Sequence, residues 1–211
     1  VLLNELIFLK LKKVLQTIVY IPHFMSWVVA ASIFSMILSP TSAGLVNDVL
    51  MKLHLITDNI YFLGDQKSWR FSYYIINVWK DTGWGTSIFM ATLAGISPEL
   101  YEAASMDGAN RFQKMIYITL PALNNTIVTV LVLNLAKVMN LFESVFVLQN
   151  EAVIKVSDVL QTYIYTQTFN SGAIPDYGYT TAVGMFSSII SCILVLVCNR
   201  VSHKTRGRGI V

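Results

Sequence analysis

Charge is what this chain has least of. Only 13% of its 211 residues are Asp, Glu, Lys or Arg, while 55% are hydrophobic. A soluble domain carries about a quarter charged residues, so too little polar surface is available to coat a water-soluble globule of this size. Cysteine is scarce too: Cys192 and Cys198 are the only two. Six helical residues rise about 9 Å, more than the roughly 7 Å between Cα atoms that a disulfide can bridge, so both are expected to face lipid or to pack. No residues stand at metal-ligand spacing, and no nucleophile–base–acid set is apparent, so neither a metal site nor an enzyme is expected. No Gly-x-x-x-x-Gly-Lys-Ser/Thr occurs, which removes ATP binding by that phosphate loop. Repeats and low-complexity stretches are absent as well. The net charge of +3 points to membrane topology rather than to nucleic acid.

The apolar residues are clustered. Val14 to Asn47, Ile116 to Ala136 and Tyr177 to Asn199 contain no Asp, Glu, Lys or Arg, and Phe71 to Ile96 is interrupted only by Lys80 and Asp81. A helix needs about 20 largely apolar residues to cross the roughly 30 Å core of a bilayer. Four spans are expected, at roughly 14–38, 71–96, 122–143 and 178–200. The fold class is therefore all-α, a polytopic membrane helical bundle forming a single domain over 1–211. The apolar stub Val1–Leu9, followed by Lys10, Lys12 and Lys13, has the reverse order of a secretory signal. It is expected to be the inner end of an earlier membrane helix in a chain that begins before this sequence.

Lys and Arg positions orient the spans. With the N-terminus inside, Lys10, Lys12, Lys13, Arg111, Lys114, Arg200, Lys204, Arg206 and Arg208 fall on the inner side, against Lys52, Lys67, Arg70 and Lys155 outside. Both termini and the loop 97–121 are thus expected in the cytoplasm. Of the outer segments, residues 44–56 place Leu45, Val49, Leu53 and Ile56 at helical spacing, an amphipathic helix for the interface or another subunit. Trp69, Tyr73 and Tyr74 suit an aromatic belt. Residues 144–177, rich in Tyr, Thr, Gln and Asn, are polar enough to meet water or a partner.

The loop 97–121 carries the strongest signal. Ser97 is a favourable N-cap, Pro98 suits the first helical position and Glu99 favours the positive helix end. Leu100, Ala103, Ala104 and Asp107 share a face. Gly108 supplies a left-handed stop, Asn110 caps a second helix, and Pro121 is expected to break that helix before the next span. The small Ala pair lets a partner surface approach closely, with Glu102 and Asp107 charged at either end. This segment resembles the EAA loop of ATP-binding-cassette importer permeases, whose signature of Glu-Ala-Ala, three residues, Gly, nine residues, Ile, one residue and Leu-Pro falls on Glu102, Ala103, Ala104, Gly108, Ile118, Leu120 and Pro121. Asp107-Gly108-Ala109 is similar to the sugar-importer variety.

The wider chain resembles the polysaccharide or aldouronate-type branch of the maltose-permease-like family. It does so at Leu-Leu-Asn-Glu 2–5, Tyr-Ile-Pro-His-Phe-Met-Ser-Trp 20–27, Leu-Ser-Pro 38–40, Gly-Leu-Val-Asn 44–47, Trp-Lys 79–80 with Gly83-Trp84-Gly85, and Leu-Ala-Gly-Ile 93–96. That resemblance implies the type I importer fold and a second permease chain across the membrane. It also implies an ATP-binding-cassette subunit whose groove takes the loop, and an extracellular solute-binding protein that delivers an oligosaccharide. No cofactor is expected on this chain, ATP and Mg belonging to the partner ATPase. Such permeases commonly have six spans, which again implies missing N-terminal sequence.

Ionisable groups inside spans are costly and tend to face cavities or partners. Asn77, Lys80, Asp81 and Trp84 fall on one helix face, with Lys80 about 14 Å into its span. An amide, charges and an indole suit a sugar, although Lys80 can equally pair with an acid on a neighbouring helix. Asn134 and Lys137 are the cavity candidates of the third span, while Asn140 and Glu143 fit its outer mouth. His23, beside Pro22, is expected to be a packed residue. Two competing readings stay open: a secondary transporter using Lys80, Asp81 and Glu143, and a membrane scaffold whose loop docks a partner.

Overall fold

The computed structural model describes residues 8–41, 44–170 and 176–206. Residues 1–7 of the stub Val1–Leu9 and Arg208 of the basic tail lie outside the described residues, and so do the side chains of Leu9, Lys204 and Arg206. Regular structure among the described residues is entirely helical. In chain order the helices are α1 (Leu9–Phe24), α2 (Trp27–Ile37), α3 (Leu45–Lys52), α4 (Gln66–Ala94), α5 (Pro98–Met106), α6 (Arg111–Lys114), a π-helical turn (Met115–Thr119), α7 (Leu120–Val138), α8 (Glu143–Leu148), α9 (Ile154–Ser157), α10 (Leu160–Phe169) and α11 (Tyr177–Arg206).

Two stretches are long and apolar enough to cross a membrane: Arg111–Val138, and Tyr177–Ser202 within α11. The expected span 14–38 is a broken pair, Lys10–Phe24 and Trp27–Ile37, bent by 105°. Counted as one span it makes three, not the expected four. Pro22 lies inside α1, and Ser26 then caps α2, its Oγ accepting from Val29 N at 3.2 Å. A proline without an N–H followed by a capping serine ends one helix and starts another. The span expected at 71–96 lies in α4, which has ample length at 29 residues. Its Ser, Asn, Lys, Asp and Thr leave it too polar to count among those spans by composition.

The Pro121 break does not occur. Arg111–Val138 is continuous, because the helix widens one turn earlier and Leu120 N bonds Met115 O. Pro121 cannot donate to the carbonyl of Tyr117, and its ring would press on that carbonyl in a regular helix; a π-turn just upstream makes room.

The chain divides into two compact units. The first comprises the described parts of Val1–His23, Asp81–Leu135 and Val195–Val211. Here Leu93, Leu123 and Val132 are buried, and Thr92 Oγ1 meets Thr126 Oγ1 at 2.8 Å. Gly83 is buried against the backbone of α1: a Cβ on it would stand 2.5 Å from Val19 O.

The second unit comprises Phe24–Lys80 and the described parts of Ala136–Leu194. Its core gathers Ala31, Leu63, Trp69, Tyr73, Ile76, Val145, Leu148 and Val153. Trp69 and Tyr73 are thus core residues, not a belt: Trp69 is 3% exposed and its Nε1 donates to Leu148 O at 3.0 Å, while Tyr73 Oη meets Ser144 Oγ at 2.9 Å. Only Tyr74 of the three stays exposed. A buried ring with a polar tip needs such a partner. The segment expected to be polar and partner-facing supplies three of these eight residues, Val145 and Leu148 on α8 and Val153 in the turn before α9. On α10, the hydrogen bond that links Tyr163 Oη to Tyr179 Oη at 3.2 Å raises the Tyr163 phenol above its ordinary pKa.

Helix α3 is shorter than the amphipathic stretch expected, ending at Lys52 ahead of His54, whose φ is 55°. Fully buried Asn47 fixes it, donating to Ser39 O at 2.8 Å and Ile60 O at 2.9 Å and accepting from Ile60 N at 2.9 Å. Asn47→Ala would strand three backbone groups, each costing about 1–3 kcal/mol when left unpaired in a buried place. Thermal unfolding is expected at a clearly lower temperature, with faster proteolytic cleavage between Ser39 and Ile60. An unchanged melting curve would show that water replaces the amide.

Candidate functional site

The segment 97–121 folds as a helix, a tight turn and a second helix. Ser97 is the N-cap residue of α5 and Pro98 its first residue, but the Ser97 side chain makes no capping bond. Helix α5 ends at Asp107, the C-cap, and Gly108 follows at φ 79°. That left-handed residue lets the chain reverse without a Cβ penalty, and Ala109 N then donates to Ala104 O at 2.9 Å. Asn110 begins the second helix with a reciprocal capping box: Gln113 N donates to Asn110 Oδ1 and Asn110 N to Gln113 Oε1, both at 2.8 Å.

Two side-chain bonds brace the elbow. Tyr101 Oη meets Thr119 Oγ1 at 2.9 Å, and Lys114 Nζ donates to Ser105 Oγ at 2.6 Å. Thr119 is buried and belongs to the π-turn, so the widened turn that accommodates Pro121 also anchors α5. These four residues were missed in the sequence reading, because neither pair falls at a helical spacing that a one-dimensional pattern exposes.

No residue of α5 is buried. Glu102, Ala103 and Asp107 are exposed and Ala104 and Ala109 half-buried, while Met106 is 90% exposed. Ile118 is half-buried in the π-turn, and Leu120 and Pro121 are exposed at the start of α7. Leu100, Met106 and Phe112 add large apolar side chains to this exposed surface. The braced helix thus presents the small Ala103 and Ala104 at its middle with exposed apolar side chains around them.

The four residues expected to share a stripe on α4 divide between the units. In the second, Asn77 Nδ2 donates to Tyr73 O at 3.0 Å, and Lys80, only 5% exposed, holds its ammonium 5.0 Å from the centre of the Trp27 ring. In the first, Asp81 and Trp84 meet at His23. The His23 and Trp84 rings stack with centroids 5.3 Å apart, and His23 Nδ1 lies 3.8 Å from Asp81 Oδ1. Asn134 and Lys137 are exposed on α7. Beyond α7, Asn140 accepts from Gln161 Nε2 at 3.3 Å and Glu143 opens α8, exposed. Among the described residues no three or more His, Cys, Asp or Glu side chains are grouped to hold a metal.

A family of transport proteins described as "Binding-protein-dependent transport system inner membrane component" matches residues 5–207. The chain belongs to that family. As a member it is a membrane component of a family whose role is transport. It is 39% identical over 210 residues to protein LplB of Bacillus subtilis (strain 168), covering 99% of this chain and 64% of that one. The same identity and coverage relate it to the polygalacturonan/rhamnogalacturonan transport system permease protein YteP of the same organism. This permease therefore spans 64% of the length of these two relatives. Among solved structures it resembles a bacterial ABC transporter involved in the import of the acidic polysaccharide alginate, at TM-score 0.90 and 35% identity over 97% of this chain and 70% of that chain. The bacterial alginate ABC transporter in complex with alginate pentasaccharide-bound periplasmic protein matches at TM-score 0.91 and 34% identity, over 99% of this chain and 71% of that one.

Proposed function

We propose that this permease forms part of the membrane pathway of an ATP-binding-cassette importer for oligosaccharides. A separate ATPase subunit holds ATP and Mg, a second permease chain completes the pathway, and an extracellular solute-binding protein delivers the sugar. The membrane is the cell membrane of a prokaryote, with both ends of this segment and the elbow in the cytoplasm. The observation that carries this reading is the braced α5, none of whose residues is buried, bearing Glu102-Ala103-Ala104 ahead of the left-handed Gly108. The names of the related permeases and of the alginate transporters support a saccharide cargo.

Helix α5 sits in a groove of the ATPase and carries that subunit's movement into the helix beginning at Arg111. Tyr101 and Ser105 hand the displacement to Thr119 and Lys114, so α5 does not swing freely about Gly108. The two access states differ in population because the ATPase binds nucleotide better in one of them. Asn77, Lys80, Asp81 and Trp84 on α4, with Asn134 and Lys137 on α7, are the proposed substrate-pathway residues. Hydroxyls of the sugar bond the exposed Asp81, Asn134 and Lys137 side chains, and a ring face stacks on the indole.

The test is a cysteine at Ala103 in the full transporter, with Cys192 and Cys198 replaced by serine. A short bifunctional thiol reagent is expected to join this chain to an ATPase carrying a cysteine in its groove. Labelling of that cysteine from the extracellular side by a membrane-impermeant thiol reagent, or a complete absence of the cross-link, would remove the reading.

A further inference from the structure

We infer that His23 is the positioning residue of the Trp84 indole, fixing its angle so that one face stays open to a pyranose ring. The inference rests on the substrate-pathway reading of Trp84. It gives His23 a role beyond that of the packed residue expected from the sequence.

Three observations in the first unit converge on it. The His23 and Trp84 rings lie 18° from parallel with centroids 5.3 Å apart, the separation of a stacked aromatic pair. Trp84 is 52% exposed, as an indole covered on one face should be. The edge of the imidazole faces Asp81, with Nδ1 3.8 Å from a carboxylate oxygen, a proximity outside hydrogen-bond distance. Asp81 and Trp84 are three residues apart on α4, hence on one face, and His23 bridges them.

The backbone beneath His23 is restrained on both sides. Pro22 precedes it with φ locked near −65°, and the helix stops one residue later at Phe24. Helix α4 meets α1 at Gly83, where a Cβ would lie 2.5 Å from Val19 O and 3.0 Å from Tyr20 Cα. That approach leaves the two rings little freedom to part. The Asp81 side chain is 64% exposed, and on the pathway reading of α4 an ionisable group there faces a cavity or a partner rather than lipid. The open face of Trp84, one turn along, shares that surroundings. Holding the indole in advance removes the ordering cost that a mobile ring would pay on binding sugar.

The experiment uses the full transporter labelled with 5-fluorotryptophan, the Trp84 resonance being assigned by its loss in Trp84→Phe. His23→Ala is expected to broaden or split that resonance, and His23→Phe, which keeps a stacking ring, to preserve one narrow line. An unchanged resonance in His23→Ala overturns the inference. Uptake is then measured with galacturonan and alginate oligosaccharides, both built of pyranose rings. His23→Ala should raise KM about fivefold at near-constant maximal rate, and His23→Phe should restore it, since an aromatic pair accounts for about 3- to 10-fold. Loss of maximal rate and of basal ATPase activity together in both variants, without a KM change, would make His23 a structural residue only and overturn the inference. An unchanged KM in Trp84→Ala, or no uptake of either series, overturns the pathway reading instead, and the fluorine spectra report that failure separately.

Discussion

Replacing Gly108 with valine is expected to abolish coupled uptake while the transporter still assembles. Gly108 has φ 79°, and a Cβ built on it meets nothing within 4 Å. The penalty of substitution is therefore conformational, not one of crowding. A left-handed backbone costs an L-residue about 1–2 kcal/mol, and a β-branched one more. Relaxing φ would swing α5 away from the helix that begins at Arg111 and pull on the Tyr101–Thr119 and Ser105–Lys114 bonds. Since about 1.4 kcal/mol is a tenfold change in an equilibrium, the docked geometry becomes a minority state. Uptake should fall by at least about tenfold, and the binding protein should no longer stimulate ATP hydrolysis. Gly108→Asn is the control, because asparagine enters the left-handed region more readily, and it should retain most uptake. Normal transport by the valine variant would mean that the turn does not set the position of α5.

Gly83→Val is expected to act differently, on assembly and not on coupling. Here the space is what matters: a Cβ would stand 2.5 Å from Val19 O and 3.0 Å from Tyr20 Cα. Both are backbone atoms, which cannot rotate aside as a side-chain tip would. Overpacking of this kind costs about 1–3 kcal/mol in a well-packed interior, and valine adds two methyl groups beyond the Cβ. The α1–α4 approach should open, and the His23–Trp84 stack with it. The expected readouts are a large drop in the detergent melting temperature and a loss of complex on size-exclusion chromatography. Gly83→Ala should give the same effect in weaker form. Full stability of the valine variant would place the two helices farther apart than the structure has them.

Much of the 97–121 elbow was legible from the residues because its signals are local. Pro98 at the first position, the left-handed Gly108 and the Asn110 cap each act within four residues, and all stand in the structure. The cost of Pro121 is not confined to its own turn, which is why the expected break is absent. The helix absorbs it by widening at Met115–Thr119, which only a continuous helix reveals. Trp69 and Tyr73 misled for a related reason. Aromatics near a span end suit a membrane interface, and whether they turn inward depends on Leu148 and Ser144, more than 70 residues away along the chain.

Composition and the uncharged runs were enough to establish a helical membrane protein, and the local signals of 97–121 to locate its elbow. These properties are additive or local, so they survive in a linear string. Pairings across distant segments had to wait for the folded chain. Lys80 finds the Trp27 ring, and Asp81, its neighbour in sequence, finds His23. Adjacent residues on a helix point about 100° apart, so what each of them meets is set by the packing of other helices and not by its place in the chain.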